Sequence, residues 1–307
     1  MNAPKIEQLN RDFSFANEYH SLIFKHGKGG IPVVEIQNDQ ASAAISLQGA
    51  HILSWVPAGE DDVVWLSTDA KFALGKSVRG GVPICWPWFG PHENNGSYPA
   101  HGFARTVLWQ VIKTESVSAD ETQITFQLDT RQLEEADQVM WPLPTVVEYR
   151  LTVGKTLTME LTTFNYSEQT MTIGQALHTY FKVNDASGTR ILGLEDKDYL
   201  DKTDGFNRKT QTGVVTINDE VDRVYLETPD DLVIDDSQRE ILIKKQGSHS
   251  TVVWNPWKAT AEKMGDLGED GYLRMLCVES ANAREDTVDI DAGGSHTLRV
   301  TYELEHI

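Results

Sequence analysis

Between Ser295 and Glu305 the chain sets Leu298, Val300, Tyr302 and Leu304 against Arg299, Thr301 and Glu303. Strict alternation with a period of two buries one face of a strand and leaves the other wet. The pattern recurs in Thr122–Leu128, where Ile124, Phe126 and Leu128 alternate with Gln123, Thr125 and Gln127. It recurs again in Thr145–Phe164, which reads as a hairpin turning near Gly154-Lys155, with Val147, Tyr149, Leu151 and Val153 on one face. A chain built this way must pair its strands.

Shorter runs at Val33–Ile36, Ala43–Leu47, His51–Val56, Val63–Leu66 and Val107–Lys113 extend the theme. So do Val214–Ile217, Val224–Leu226, Leu232–Asp235, Glu240–Lys244 and Thr251–Trp254. Their Asn-Asp and Pro/Gly separators favour antiparallel sheets over βαβ units. Arg131–Asp137 allows a helical turn or two before Pro142 and Pro144, and Lys258–Met264 is the best helix candidate of the second half. No internal repeat or linker marks a boundary. The expectation is all-β: one large antiparallel β-sandwich over residues 1–307 with a few short helices, residues 1–30 being a polar lead-in.

Two segments carry more than pattern. Met171–Val183 is expected to be one strand, with Met171, Ile173, Leu177, Phe181 and Val183 facing the core and His178 on the other face among small and polar neighbours. Arg274–Ser280 is apolar on both parities, as for a central strand covered on both faces, and Glu279 is its exception. A buried carboxylate is costly unless paired or retained for function, and burial raises its pKa toward that of a useful base. A lone strand histidine is more often a hydrogen-bonded structural residue than an acid–base group, so the weight on His178 comes from its face.

The stretch Arg79–Arg105, RGGVPICWPWFGPHENNGSYPAHGFAR, is too rich in Gly and Pro for a long regular element. Structured, aromatic-rich loops of this kind often carry binding sites. Within it, His101 sits beside Gly102, which allows close backbone approach. The formal net charge is −19, with 27 Lys+Arg against 46 Asp+Glu, which argues against nucleic-acid and anionic-membrane surfaces. An anionic substrate would therefore need a local cationic cluster, and Arg79 and Arg105 are available for it. Asp222 could orient a hydroxyl or form part of a solvated turn.

Cys85 and Cys277 are the only cysteines, and both read as small buried residues. No metal-ligand spacing, nucleophile elbow or dinucleotide fingerprint appears, so any chemistry is expected to be acid–base work with no cofactor and no metal. The N-terminus lacks the marks of a secretory signal and no apolar run approaches a membrane span, which gives a cytoplasmic, reduced setting as the expectation.

Taken as an ordered set, several blocks are specific. They are Gly49–Trp55, Arg79–Gly90, His101–Arg105, Ala176–Phe181, Val221–Tyr225, Val253–Trp257 and Cys277–Glu279. In this order the chain resembles the hexose-6-phosphate mutarotases, a branch of the aldose 1-epimerase, galactose-mutarotase-like superfamily. The resemblance implies a galactose-mutarotase-like supersandwich that interconverts the α and β anomers of a sugar phosphate, glucose 6-phosphate first. It implies His178 as general acid, Glu279 as general base, and Arg79, His101, Arg105 and Asp222 as substrate-binding residues. Arg105 matches the arginine that distinguishes the phosphosugar branch. Ala100 departs from members that carry a polar residue there. The partner implied is a small-molecule sugar phosphate, with no nucleic acid and no membrane, and the chain is expected to be a monomer. The alternatives are an aldose 1-epimerase acting on free hexoses and a non-catalytic sugar-phosphate binding module.

Overall fold

The alternating segments do become strands. In the computed structural model, which describes residues 5–306, Thr145–Val153 and Leu157–Asn165 form the expected hairpin, with Val153 opposite Leu157. Val147, Tyr149, Leu151 and Val153 are wholly buried. The hairpin sits inside a nine-stranded sheet flanked on one side by Ser295–His306 and on the other by Thr122–Asp129. All pairings between strands among the described residues are antiparallel.

Two further large sheets and a two-stranded one, Met171–Ile173 with Val288–Ile290, complete the body. The first has five strands and includes Ser21–His26, Pro32–Gln37, Ala41–Ser46 and His51–Pro57. The second has eight and runs Asn207–Thr210, Asp198–Asp201, Val221–Tyr225, Ser250–Asn255, Met275–Asn282, Gln175–Leu177, Ile84–Cys85. Its eighth strand, Tyr180–Lys182, pairs with Met275–Asn282 as well. One apolar cluster joins the three large sheets: Ile36 and Ile45 from the first, Phe126 and Tyr302 from the nine-stranded, Leu177, Val253 and Val278 from the eight-stranded. Helices are short, at Ile6–Phe13, Glu135–Met140, Trp257–Met264 and Gly271–Arg274. No helix among the described residues is long and apolar enough to cross a membrane.

Three sequence readings need correction. The lead-in is more than polar chain: Ser21–His26 is a sheet strand with Leu22 and Phe24 buried. Asn10 on the first helix locks it by donating to Phe24 O and accepting from Phe24 N–H, both at 2.8 Å. Val63–Leu66 is no strand, making isolated bridges from Val64 to Phe181 and from Leu66 to Gly80.

Met171–Val183 is not one strand but three short ones, Met171–Ile173, Gln175–Leu177 and Tyr180–Lys182. Its two breaks are filled by the aromatic stretch. Gly174 N–H donates to Pro87 O and His178 N–H to Pro83 O, while Thr179 N–H turns back to Leu177 O. The periodicity survived because Leu177, Phe181 and Val183 still reach the core. The Arg79–Arg105 stretch is irregular as expected, with only Ile84–Cys85 paired as a strand. Arg274–Ser280 appears as Met275–Asn282, buried at each of its positions.

Candidate active site

The register of the eight-stranded sheet builds the site. Leu177 pairs with Ser280 and Tyr180 with Cys277, so the two short strands hold one register across their break. In that register His178 stands opposite Glu279. Further out, Glu279 pairs with Val252 and Val252 with Val224. The neighbouring row runs Tyr180, Cys277, Trp254, Asp222 by the same pairings. Side chains two apart on a strand share a face, so both rows project to one side of the sheet. The other parity, Leu276 and Val278, goes to the core. One face packs the molecule and the other faces a cavity of about 300 Å³. That volume suits one small molecule.

All six residues expected from the sequence line this cavity: Arg79, His101, Arg105, His178, Asp222 and Glu279. His178 Nδ1 lies 3.4 Å from Glu279 Oε1, with His178 8% and Glu279 1% exposed. Neither His178 Nδ1 nor Glu279 Oε2 has a hydrogen-bond partner, so each keeps unspent capacity in a dry place. Burial pushes the Glu279 carboxyl well up, with Asp222 adding to it, and pushes the His178 imidazole well down, with His101 and Arg105 adding to that. The pair therefore holds one proton between two groups that each resist charge.

The surroundings of His178 differ from the small, polar neighbours expected. Tyr180 stacks on the imidazole, with ring centres 5.0 Å apart and an 8° interplanar angle, and Trp254 meets its edge at 6.1 Å. His101 approaches at 5.8 Å. Residues Tyr180 and Trp254 fix the imidazole plane.

His101 has a left-handed backbone, φ 67°, and its Nδ1 accepts from Gly90 N–H at 3.3 Å. A neutral imidazole that accepts at Nδ1 carries its proton on Nε2. Burial, with Arg105 and Lys202, holds its pKa down to about 3, so His101 is a neutral imidazole. Gly102 beside it has φ +70°, and a Cβ there would stand 2.0 Å from Trp86 O. The close approach anticipated from the sequence is thus a requirement.

The cations differ in how they are balanced. Arg79 Nε donates to Asp266 Oδ1 at 3.0 Å and its Nη1 to Tyr180 Oη at 3.0 Å. Lys202 Nζ donates to Asp222 Oδ2 at 2.6 Å. Arg105 donates to Ala100 O at 2.9 Å and makes no ion pair among the described residues. Lys202, Phe206 and Arg284 line the cavity too and were not singled out from the sequence. They come from loops with no periodic signal. Tyr180 could have been found, since it shares a parity with His178; Trp254 could not, since it meets Asp222 only by pairing across strands.

Donor atoms of His178, Cys277 and Glu279 lie within 4.8 Å of one another. Burial pushes the Cys277 thiol well up, as it does the carboxyl, and so opposes the charged form of two of these three donors. A metal ion needs thiolate and carboxylate. The set is better matched to exchanging protons.

An antiparallel β-architecture with a buried imidazole–carboxyl pair in a small polar cavity defines a galactose-mutarotase-like protein. The chain belongs to the aldose 1-epimerase family, whose family model matches residues 32–303. It is 41% identical over 258 residues to a protein of Escherichia coli strain K12 named "Putative glucose-6-phosphate 1-epimerase", covering 83% of this chain and 84% of that one. A plant protein of the same name, from Cenchrus ciliaris, is 36% identical, covering 78% and 74%. Among solved structures, a "putative mutarotase" of Salmonella typhimurium superposes with a TM-score of 0.86 at 31% identity, covering 98% of this chain and 99% of that chain. A galactose mutarotase-like protein of Clostridium acetobutylicum, at 12% identity and TM-score 0.72, covers 95% and 100% and shows the shared fold.

Proposed function

We propose that this enzyme interconverts the α and β anomers of hexose 6-phosphates, glucose 6-phosphate first, by acid–base opening and reclosure of the ring. The observation that carries this reading is the buried His178–Glu279 pair, 3.4 Å apart, in a cavity that also presents Arg79, Arg105, Lys202 and Arg284. Four cations there against two lining carboxyls reverse the sign of a chain whose net charge is −19. The names of the relatives point the same way.

Opening a hemiacetal ring takes a proton from the C1 hydroxyl and delivers one to the ring oxygen. With the pair's one proton on the imidazole, Glu279 takes the first and His178 gives the second through Nε2. After rotation about C1–C2 the roles exchange and the ring closes on the other face. No atom or electron is left over, because the pair begins and ends with one proton. Arg79 and Arg105 hold the phosphate by charge-assisted hydrogen bonds, with His101 and Asp222 on sugar hydroxyls. The largest apolar cluster runs from Ile6 to Tyr302 and supports one domain acting as a unit, which in this reading works as a monomer without a cofactor.

Exchange NMR of glucose, galactose and their 6-phosphates, with and without the protein, tests the reading. Faster α/β exchange for a 6-phosphate, at lower substrate concentration than for the free sugar, is expected. Acceleration of the free sugars alone would make it an aldose 1-epimerase for free hexoses, and binding without acceleration would make it a binding module.

A further inference from the structure

The proposed clamp leaves two cations of the cavity unassigned, and of these Lys202 is paired with Asp222. Arg284 is exposed, lines the cavity, and begins the short turn Arg284–Asp286 that follows the strand carrying Glu279. Its neighbours in sequence are acidic, yet neither neutralises it. Glu285 pairs with Arg208, and Asp286 accepts from His249 N–H and from Asn282 Nδ2. Arg284 makes no ion pair among the described residues. Its guanidinium instead lies 3.9 Å over the ring of Phe206, on the opposite loop of the cavity mouth.

Both residues hold left-handed backbone, φ 59° at Arg284 and φ 63° at Phe206. Non-glycine residues held there are strained, and such outliers gather where function needs them. The Arg208–Glu285 ion pair ties the same two loops together. A cation has thus been placed, stacked and left uncompensated at the rim. Arg79, by contrast, already spends its Nε on Asp266 and an Nη on Tyr180.

We infer that Arg284 is a specificity-determining residue, a third arginine that recognises the substrate's phosphate at the cavity rim, held ready by its stack on Phe206. This rests on the hexose 6-phosphate reading above. A flat guanidinium presents paired N–H donors to phosphate oxygens, while the aromatic face below restricts its rotamers before substrate arrives. The reaction end, at His178 and Glu279, lies on the sheet floor; a phosphate carried on C6 is remote from C1 and belongs nearer the rim.

The test is KM for glucose 6-phosphate and for glucose, by anomer exchange, in wild type, Arg284→Ala, Arg284→Lys and Phe206→Leu, at several ionic strengths. Arg284→Ala is expected to raise KM for the phosphosugar about 10–100-fold more than KM for glucose, the range for a charged hydrogen-bonding group. It should also flatten the rise of KM with salt, and weaken competitive inhibition by inorganic phosphate. Arg284→Lys should fall between it and wild type. Equal changes for both sugars, or Phe206→Leu matching Arg284→Ala on both, would reduce Arg284 to loop packing and overturn the assignment. A wild type that turns over glucose but not glucose 6-phosphate would defeat the parent reading instead, and the assignment with it, before any variant is made.

Discussion

The floor and the rim of the cavity are built by different means. On the floor, Glu279, Tyr180, Trp254 and Asp222 stand on strands and His178 in the break between two of them, and register decides which side chains meet. At the rim, Arg105, Lys202, Phe206 and Arg284 stand on loops, and their positions depend on left-handed residues, one stack and a few ion pairs. Proton transfer tolerates little displacement and is served by a rigid ladder. Recognition of a phosphate needs charge at a distance and is served by loops that can be retuned while the chemistry stays fixed.

If the division is right, substitutions on the floor should act on kcat and those on the rim on KM. The largest effect is expected for His178→Asn and Glu279→Gln, each lowering kcat for anomer exchange at least ~100-fold, the lower bound for positioned acid–base groups. The double variant should lose little more than either single one, because the pair acts as a unit. A near-normal rate in either single variant would move the chemistry off the floor.

The pH profile sharpens the same point. In the proposed mechanism the pair works with one proton on it. Burial opposes a second proton on His178, so the acid limb of kcat/KM should lie well below the ordinary 6.5 of histidine. Burial also opposes loss of the shared proton, so the alkaline limb should lie well above the ordinary 4.5 of a glutamate. Activity that rises or falls monotonically through the neutral range would contradict a shared proton.

At the rim, Arg105→Ala should raise KM for glucose 6-phosphate by about 10–100-fold relative to glucose, since that guanidinium makes no ion pair among the described residues. A loss of kcat with unchanged KM would place Arg105 with the floor. The smallest effect is expected for Asp266→Asn. It keeps an acceptor for Arg79 Nε and removes a charge from a half-buried pair, so KM should shift by only a few-fold.

The sequence made the floor partly legible. Strand parity separated His178 from the core residues around it, and Glu279 stood out as a carboxylate in a run apolar on both faces. Register was invisible: nothing local says that Leu177 meets Ser280, and so that His178 meets Glu279. The breaks at Gly174 and His178–Thr179 were invisible for the same reason, because the acceptors that replace the ladder bonds are Pro87 and Pro83 from a distant loop. In the rim, Arg79, His101 and Arg105 were found through the aromatic stretch and the family resemblance. Lys202, Phe206 and Arg284 were not, since an arginine beside Glu285 and Asp286 looks neutralised until Glu285 is seen on Arg208. Charge balance is a property of the fold.

The central claim is that the cross-strand pair moves the protons, and one comparison tests it most directly. Saturating glucose 6-phosphate is followed by exchange NMR with wild type and with Glu279→Gln, at equal protein concentration and with folding checked by circular dichroism. The account predicts α/β exchange well above the uncatalysed rate with wild type and close to it with the variant. Equal acceleration by the two proteins, or none by folded wild type, would contradict it.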